Sequence, residues 1–196
     1  MWKNKILDLV KDFKHPAWGF SHFSRIYELS LELAKTLQFE INKDALFAAA
    51  YLHDIGAFNP YRQKDKDHSD VAIENCNEIL GSTDFPSEKI PLVKDIIKSH
   101  MFYAKPKDNI ESKIFHDADT LDFMGSIGIA RILSIVGKED WTPDLQSAIK
   151  LIERFSKELP QSIVTENAKE IGKIRKKEME QFLKNLANQT KQYDLI

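Results

Sequence analysis

Four histidines, His22, His53, His68 and His100, sit in four separate segments whose apolar residues recur at spacings of three and four. Read as helices, these segments turn their imidazoles inward. His22 shares a face with Ile26, Leu29 and Leu33, His68 with Val71, Ala72 and Ile79, and His100 lies on the stripe of Val93, Ile96 and Ile97. His53 closes the apolar run Ala45 to Leu52. One inward histidine is ordinarily a satisfied core imidazole; four on four helices ask for a common partner. Neutral imidazoles in apolar surroundings with carboxylates nearby suit a divalent metal ion.

The carboxylates are Asp54, beside His53, and the cluster Asp117, Asp119 and Asp122 in the segment DADTLD. Neighbouring residues on a helix point about 100° apart, so His53 and Asp54 can approach one ion together only where their helix ends. Gly56 marks such an end. Asp119 and Asp122 share a face while Asp117 points elsewhere, and the spacing leaves the ligand open among the three.

The elements that must carry these residues are helical. The pattern predicts helices over about 2–14, 21–38, one after Asn42 that Gly56 stops, 68–80, 87–100, a helical stretch over 112–136 with a bend at Gly125 or Gly128, one from Pro143 ending before Pro160, and one from about Thr165. The seven glycines and seven prolines in 196 residues are too few for many short strands joined by tight turns. The expected fold is all-α, one domain over 1–196, with a motif-bearing core at about 21–131 and helices over 143–190 packed on it. The charge-rich last helix reads as a solvated face or a homodimer element.

Composition narrows the function. A net charge of −2, with 28 basic and 30 acidic residues, argues against a dedicated nucleic-acid binder. The longest apolar run, eight residues, is far short of a membrane span. The lone Cys76 forms no internal disulfide, and MWKNKILDLVKDFK lacks a secretory apolar stretch, so a cytoplasmic address is expected. No glycine-rich phosphate loop, nucleophile elbow or cysteine metal knuckle occurs.

His22, the His53-Asp54 pair and Asp119, separated by intervals of 31 and 65 residues, resemble the signature of the HD superfamily of metal-dependent phosphohydrolases. HFSRIYELSLELA resembles its first motif, in which an Arg follows the His by three; AAAYLHDIG resembles the second, and DADTLDFMGSIGIAR the last motif of small bacterial members. The resemblance spans about 21–131. It implies a helical bundle with an interior site for Mn, Co, Mg, Ni or Fe, held by His22, His53, Asp54 and Asp119. His68 and His100 resemble the extra ligands of two-ion members, in which Asp54 would bridge to a second ion. Met101 stands after His100 where cyclic-dinucleotide phosphodiesterases often carry a second His, which disfavours that substrate.

A site of this kind would hydrolyse a phosphoester or phosphoanhydride of a nucleotide or another small phosphorylated compound with metal-activated water. Asp54 is the candidate proton acceptor, and His68 or His100 the proton donor to the leaving oxygen. Arg25, one turn after His22, offers a fork suited to phosphate. Lys98, Arg62, Lys64 and Lys66 are further phosphate candidates, and Trp18, Phe20, Phe102 and Tyr103 are candidates for stacking on a base. The competing readings are a di-iron oxygenase of the same fold and a non-catalytic nucleotide-binding module.

Overall fold

The computed structural model describes residues 1–35, 37 and 40–196. Among the described residues there are nine α-helices, two short 3-10 turns and no strand, as the all-α expectation requires. By its own contacts the chain divides into two compact units, Met1–Asp119 and Thr120–Ile196.

The first unit holds α1 (Trp2–Val10), α2 (Phe20–Ala34), α3 (Lys43–Leu52), α4 (His68–Gly81), α5 (Ile90–Ser99) and most of α6 (Ile110–Asp122). Its centre is α3, in which every residue from Ala45 to Leu52 is buried. A helix that is apolar all round must be covered on all sides, and α3 packs against α1, α2 and α5. Its N-terminus is fastened by Asn42, whose side chain accepts the Ala45 N–H at 3.0 Å. The Asn42 N–H in turn reaches the buried Glu111 of α6 at 2.8 Å. Trp2 meets Phe47 and Phe85 edge-on, with ring centroids 5.4 and 4.8 Å apart, which seats α1 on the same core.

The first helix stops at Val10, four residues short of the predicted Lys14. The second begins at Phe20 with Gly19 as its cap instead of Ser21, and is described to Ala34; the predicted end at Gln38 lies outside the described residues. Residues 87–100 split into a 3-10 turn, Ser87–Lys89, and α5, with Pro91 in the first turn, where no backbone N–H is needed.

The second unit contains the last turn of α6, α7 (Gly125–Ser134), α8 (Leu145–Ser162) and α9 (Glu166–Gln189). Gly125, at φ 67°, makes the break between α6 and α7 that the sequence allowed as a bend. The new N-terminus is served from a distance: Glu178 of α9 accepts both the backbone N–H and the hydroxyl of Ser126, at 2.9 and 3.0 Å. Arg131 is 2% exposed, donates to Asp122 at 2.7 Å and lies 3.7 Å from the Phe123 ring centroid. The expected helix end before Pro160 is overturned, since α8 runs through it to Ser162. Pro160 sits in the last turn, where the missing N–H costs one hydrogen bond while Phe155 and Leu159 keep the apolar face buried. No described helix is long and apolar enough to cross a membrane.

Candidate metal centre

His22, His53, Asp54, His68, His100 and Asp119 all lie in the first unit and meet there. His22 projects from the first turns of α2 and is 1% exposed. His53 is the C-cap of α3, and Asp54 is the N-cap of the 3-10 turn Ile55–Ala57, at φ −105° and ψ 9°. This change of winding brings two neighbouring side chains to one place, with His53 Nε2 3.3 Å from Asp54 Oδ2. His68 opens α4 behind the cap Asp67, whose carboxylate accepts the Ser69 N–H at 2.8 Å. His100 follows the end of α5, and Asp119 lies on α6.

The carboxylate of Asp54 divides the histidines into two pairs. Its Oδ2 lies 3.3 Å from His53 Nε2 and 3.7 Å from His22 Nε2, and its Oδ1 lies 3.2 Å from His68 Nε2 and 3.6 Å from His100 Nε2. Within each pair the Nε2 atoms are 3.2 Å apart (His22 and His53) and 3.4 Å apart (His68 and His100). Asp119 Oδ1 stands 3.3 Å from His22 Nε2 yet is buried and makes no hydrogen bond.

Backbone carbonyls decide which imidazole nitrogen faces inward. His53 Nδ1 donates to Ala50 at 2.9 Å and His100 Nδ1 to Ile97 at 2.7 Å. With Nδ1 carrying the proton, each neutral ring turns a bare Nε2 lone pair to the cluster. Phe23 and Phe115 stand edge-on to the His53 ring, each with centroids 5.4 Å away, and fix its plane. Neither phenylalanine was singled out from the sequence. For Phe115 the available signal is its position four residues before Asp119, one helical turn away on the same face.

These observations test the donor set for a divalent ion. Two donors about 2.1 Å from one ion are held about 3.0–3.4 Å apart at tetrahedral or octahedral angles. The separations between His22 and His53, His22 and Asp119, His53 and Asp54, and His68 and Asp54, all 3.2–3.3 Å, fall in that window. A buried carboxylate oxygen without a hydrogen bond, 3.3 Å from an imidazole nitrogen, suits a cation. The donor set fits the group.

Without a cation the charges lean on each other. Burial works against the ionised form of Asp54, but the charge and hydrogen bonds of His53 and His68 hold it well below the usual carboxylate range. Burial likewise opposes the charge on His68, and the hydrogen bond and charge of Asp54 outweigh it, raising the imidazole to about 9. Burial and the neighbouring His53 push His100 down to about 4. His68 differs from its partners in exposure as well, with 29% of its side chain open to solvent.

Of the three aspartates left open by spacing, Asp119 is the one in this cluster. Asp122 is taken by Arg131, and Asp117 is buried elsewhere around α6. Arg25 lies half-buried on α2, one turn beyond His22. Two of the lysines offered as phosphate anchors are engaged on the surface, Lys98 with Asp70 at 2.6 Å and Lys66 with Glu74 at 2.8 Å. Trp18 is stacked on His15, centroids 3.6 Å apart, and Phe20 packs on Tyr51 at 5.8 Å. Tyr103 is 66% exposed and abuts Phe102.

Solved structures share this fold. YpgQ of Bacillus subtilis, crystallised in complex with ADP, superposes with a TM-score of 0.72 at 22% identity, over 96% of this chain and 97% of its own. A predicted HD superfamily hydrolase from an uncultured Thermotogales bacterium gives 0.67 at 24% identity, over 96% and 90%. A protein of Listeria innocua gives 0.68 at 27% identity, over 97% and 98%. No curated protein matches the chain. The family model of the HD domain matches residues 19–124, which include His22, the His53-Asp54 pair and Asp119. With more than half its length under that match and an all-α architecture around a buried His/Asp cluster, the chain belongs to the HD domain family.

Proposed function

We propose that the chain is a metal-dependent phosphohydrolase acting on a nucleotide or another small phosphorylated compound, whose Asp54 carboxylate would be shared by two ions. The observation that carries this reading is the division of the Asp54 carboxylate, one oxygen toward His22 and His53 and the other toward His68 and His100. His22, His53, Asp119 and Asp54 Oδ2 would hold one ion, and Asp54 Oδ1, His68 and His100 the other. Divalent ions bound there supply Lewis acidity toward a phosphoryl oxygen and acidify a bound water.

The chain's own groups do the rest. Carbonyls of Ala50 and Ile97 keep the proton of His53 and His100 on Nδ1, so Nε2 is presented without rearrangement. His68, the partly exposed member, stands where a substrate can reach it, and with a single ion bound it would keep a proton on Nε2 for the leaving oxygen. Arg25 offers its planar fork to a phosphate next to His22. The nucleotide part of the reading draws on the ADP in the YpgQ crystal.

Purified protein, stripped of metal and reloaded in turn with Mn, Co, Mg, Ni and Fe, is assayed on a chromogenic phosphodiester and a panel of nucleoside mono-, di- and triphosphates. Metal-dependent release of phosphate or pyrophosphate is expected. Silence with every metal alongside tight nucleotide binding would make the chain a binding module. Iron-dependent oxygen consumption without phosphate release would make it an oxygenase.

A further inference from the structure

His116 belongs to none of the motifs described above, yet its side chain is 1% exposed. Its Nδ1 lies 2.9 Å from the carbonyl oxygen of Ser99, and because a carbonyl only accepts, Nδ1 carries the proton. Ser99 ends α5 and immediately precedes His100. The last carbonyls of a helix lack partners inside it, so the Ser99 carbonyl is available for such a donor. The Ser99 hydroxyl is also engaged, donating to the Asp95 carbonyl at 2.7 Å and accepting the Lys107 N–H at 3.0 Å. His100 therefore leaves α5 from a point tied on two sides.

His116 stands on α6, between Phe115, whose ring orients His53, and Asp119, which faces His22. About one turn of α6 thus reaches three parts of the cluster: His53 through Phe115, His100 through the Ser99 carbonyl, and His22 through Asp119. We infer that His116 is a positioning residue of the metal centre, setting the register of α6 against the end of α5 and so the place of His100 opposite Asp54. The inference rests on the two-ion reading. Loss of the donor frees the end of α5, and His100, at 3.6 Å from Asp54 Oδ1, drifts from the half-site it shares with His68. The half-site of His22, His53 and Asp119 has its own supports and stays.

The test is calorimetric titration of Mn2+ into the metal-stripped full chain, comparing wild type with His116→Leu and His116→Gln. Leucine fills the space without a donor; the glutamine amide can donate to the same carbonyl. Wild type is expected to take up two ions. His116→Leu should bind the tighter ion as wild type does and the weaker one at least about tenfold less well, the scale on which supporting groups act. His116→Gln should restore the weaker ion. Thermal melts of the metal-stripped proteins separate positioning from general support. Weakening of both ions alike, in step with a lower Tm and without rescue by glutamine, overturns the inference. So does a leucine variant with two unchanged affinities, which leaves the two-ion reading intact. A wild-type chain that binds fewer than two ions overturns the two-ion reading itself and the role of His116 with it.

Discussion

Asp54 Oδ1 lies 3.2 Å from Nε2 of His68, although the two residues belong to different elements joined by a polar loop. The approach is made by backbone. Gly56 passes so close to the start of α4 that a Cβ there would clash with the His68 carbonyl oxygen and lie 2.8 Å from its Cα. The Asp54 carboxylate and the partly exposed histidine are thereby brought together by backbone packing.

Gly56→Ala forces these two backbones apart. The expected outcome is a selective loss: the ion held with His68 and His100 weakens at least about tenfold, while the ion at His22, His53 and Asp119 is little changed. Titration of Mn2+ into the variant checks this, and a variant with both affinities intact contradicts this pairing.

Asp54→Asn keeps the shape of the side chain and removes its charge and half its acceptor capacity. Because both proposed half-sites draw on this carboxylate, the variant should lose both ions by more than the roughly 10–100-fold that supporting groups cost, and activity with them. Equilibrium dialysis with metal analysis measures the first and the phosphate-release assay the second. Near-normal activity in Asp54→Asn would falsify the assignment.

The pH dependence of the metal-free protein follows from two histidines shifted in opposite directions. His68 is raised from 6.5 to about 9, so its contribution is complete below about 6.5 and is lost as the pH climbs through 9. His100 is lowered from 6.5 to about 4, so its contribution is complete above about 6.5 and is lost as the pH falls through 4. Urea denaturation of EDTA-treated protein should therefore show maximal stability near pH 6.5, falling on both sides. Metal bound by His68 would displace its proton, so affinity should rise toward pH 9 with measurable proton release; a flat affinity between pH 6 and 9 would count against His68 as a ligand.

In the second unit the buried pair of Asp122 and Arg131 gives a prediction independent of metal. Arg131→Met leaves a carboxylate buried without its counter-charge, at a cost of about 3–5 kcal/mol. The double variant Asp122→Asn with Arg131→Met should regain much of that loss. Chemical denaturation of the three proteins decides, and a single variant as stable as wild type would mean that solvent reaches Asp122.

Much of the site was legible in the residues because helical periodicity is a local property. The faces of His22 and His100 followed from the apolar residues three, four and seven positions away, and both side chains are 1% exposed. The break after His53 was announced by Gly56, whose own role, admitting the His68 backbone, was not. Pro160 misled, because its penalty depends on whether the surrounding face is buried, and that is decided by packing.

Among Asp117, Asp119 and Asp122 the spacing could not choose. Asp119 and Asp122 share a helical face, and their fates parted only when Arg131, nine residues further on, returned over α6 to claim Asp122. His116 was invisible for the same reason, since its partner, the Ser99 carbonyl, is a backbone group that every residue possesses. Residue types and periods determined that the chain would be helical, with inward imidazoles and a helix ending at His53. Which nitrogen each ring presents, and which groups hold the rings and carboxylates in place, were decided by tertiary contacts. Hydrogen bonds and ion pairs between distant segments depend on sub-ångström placement, which no local pattern encodes.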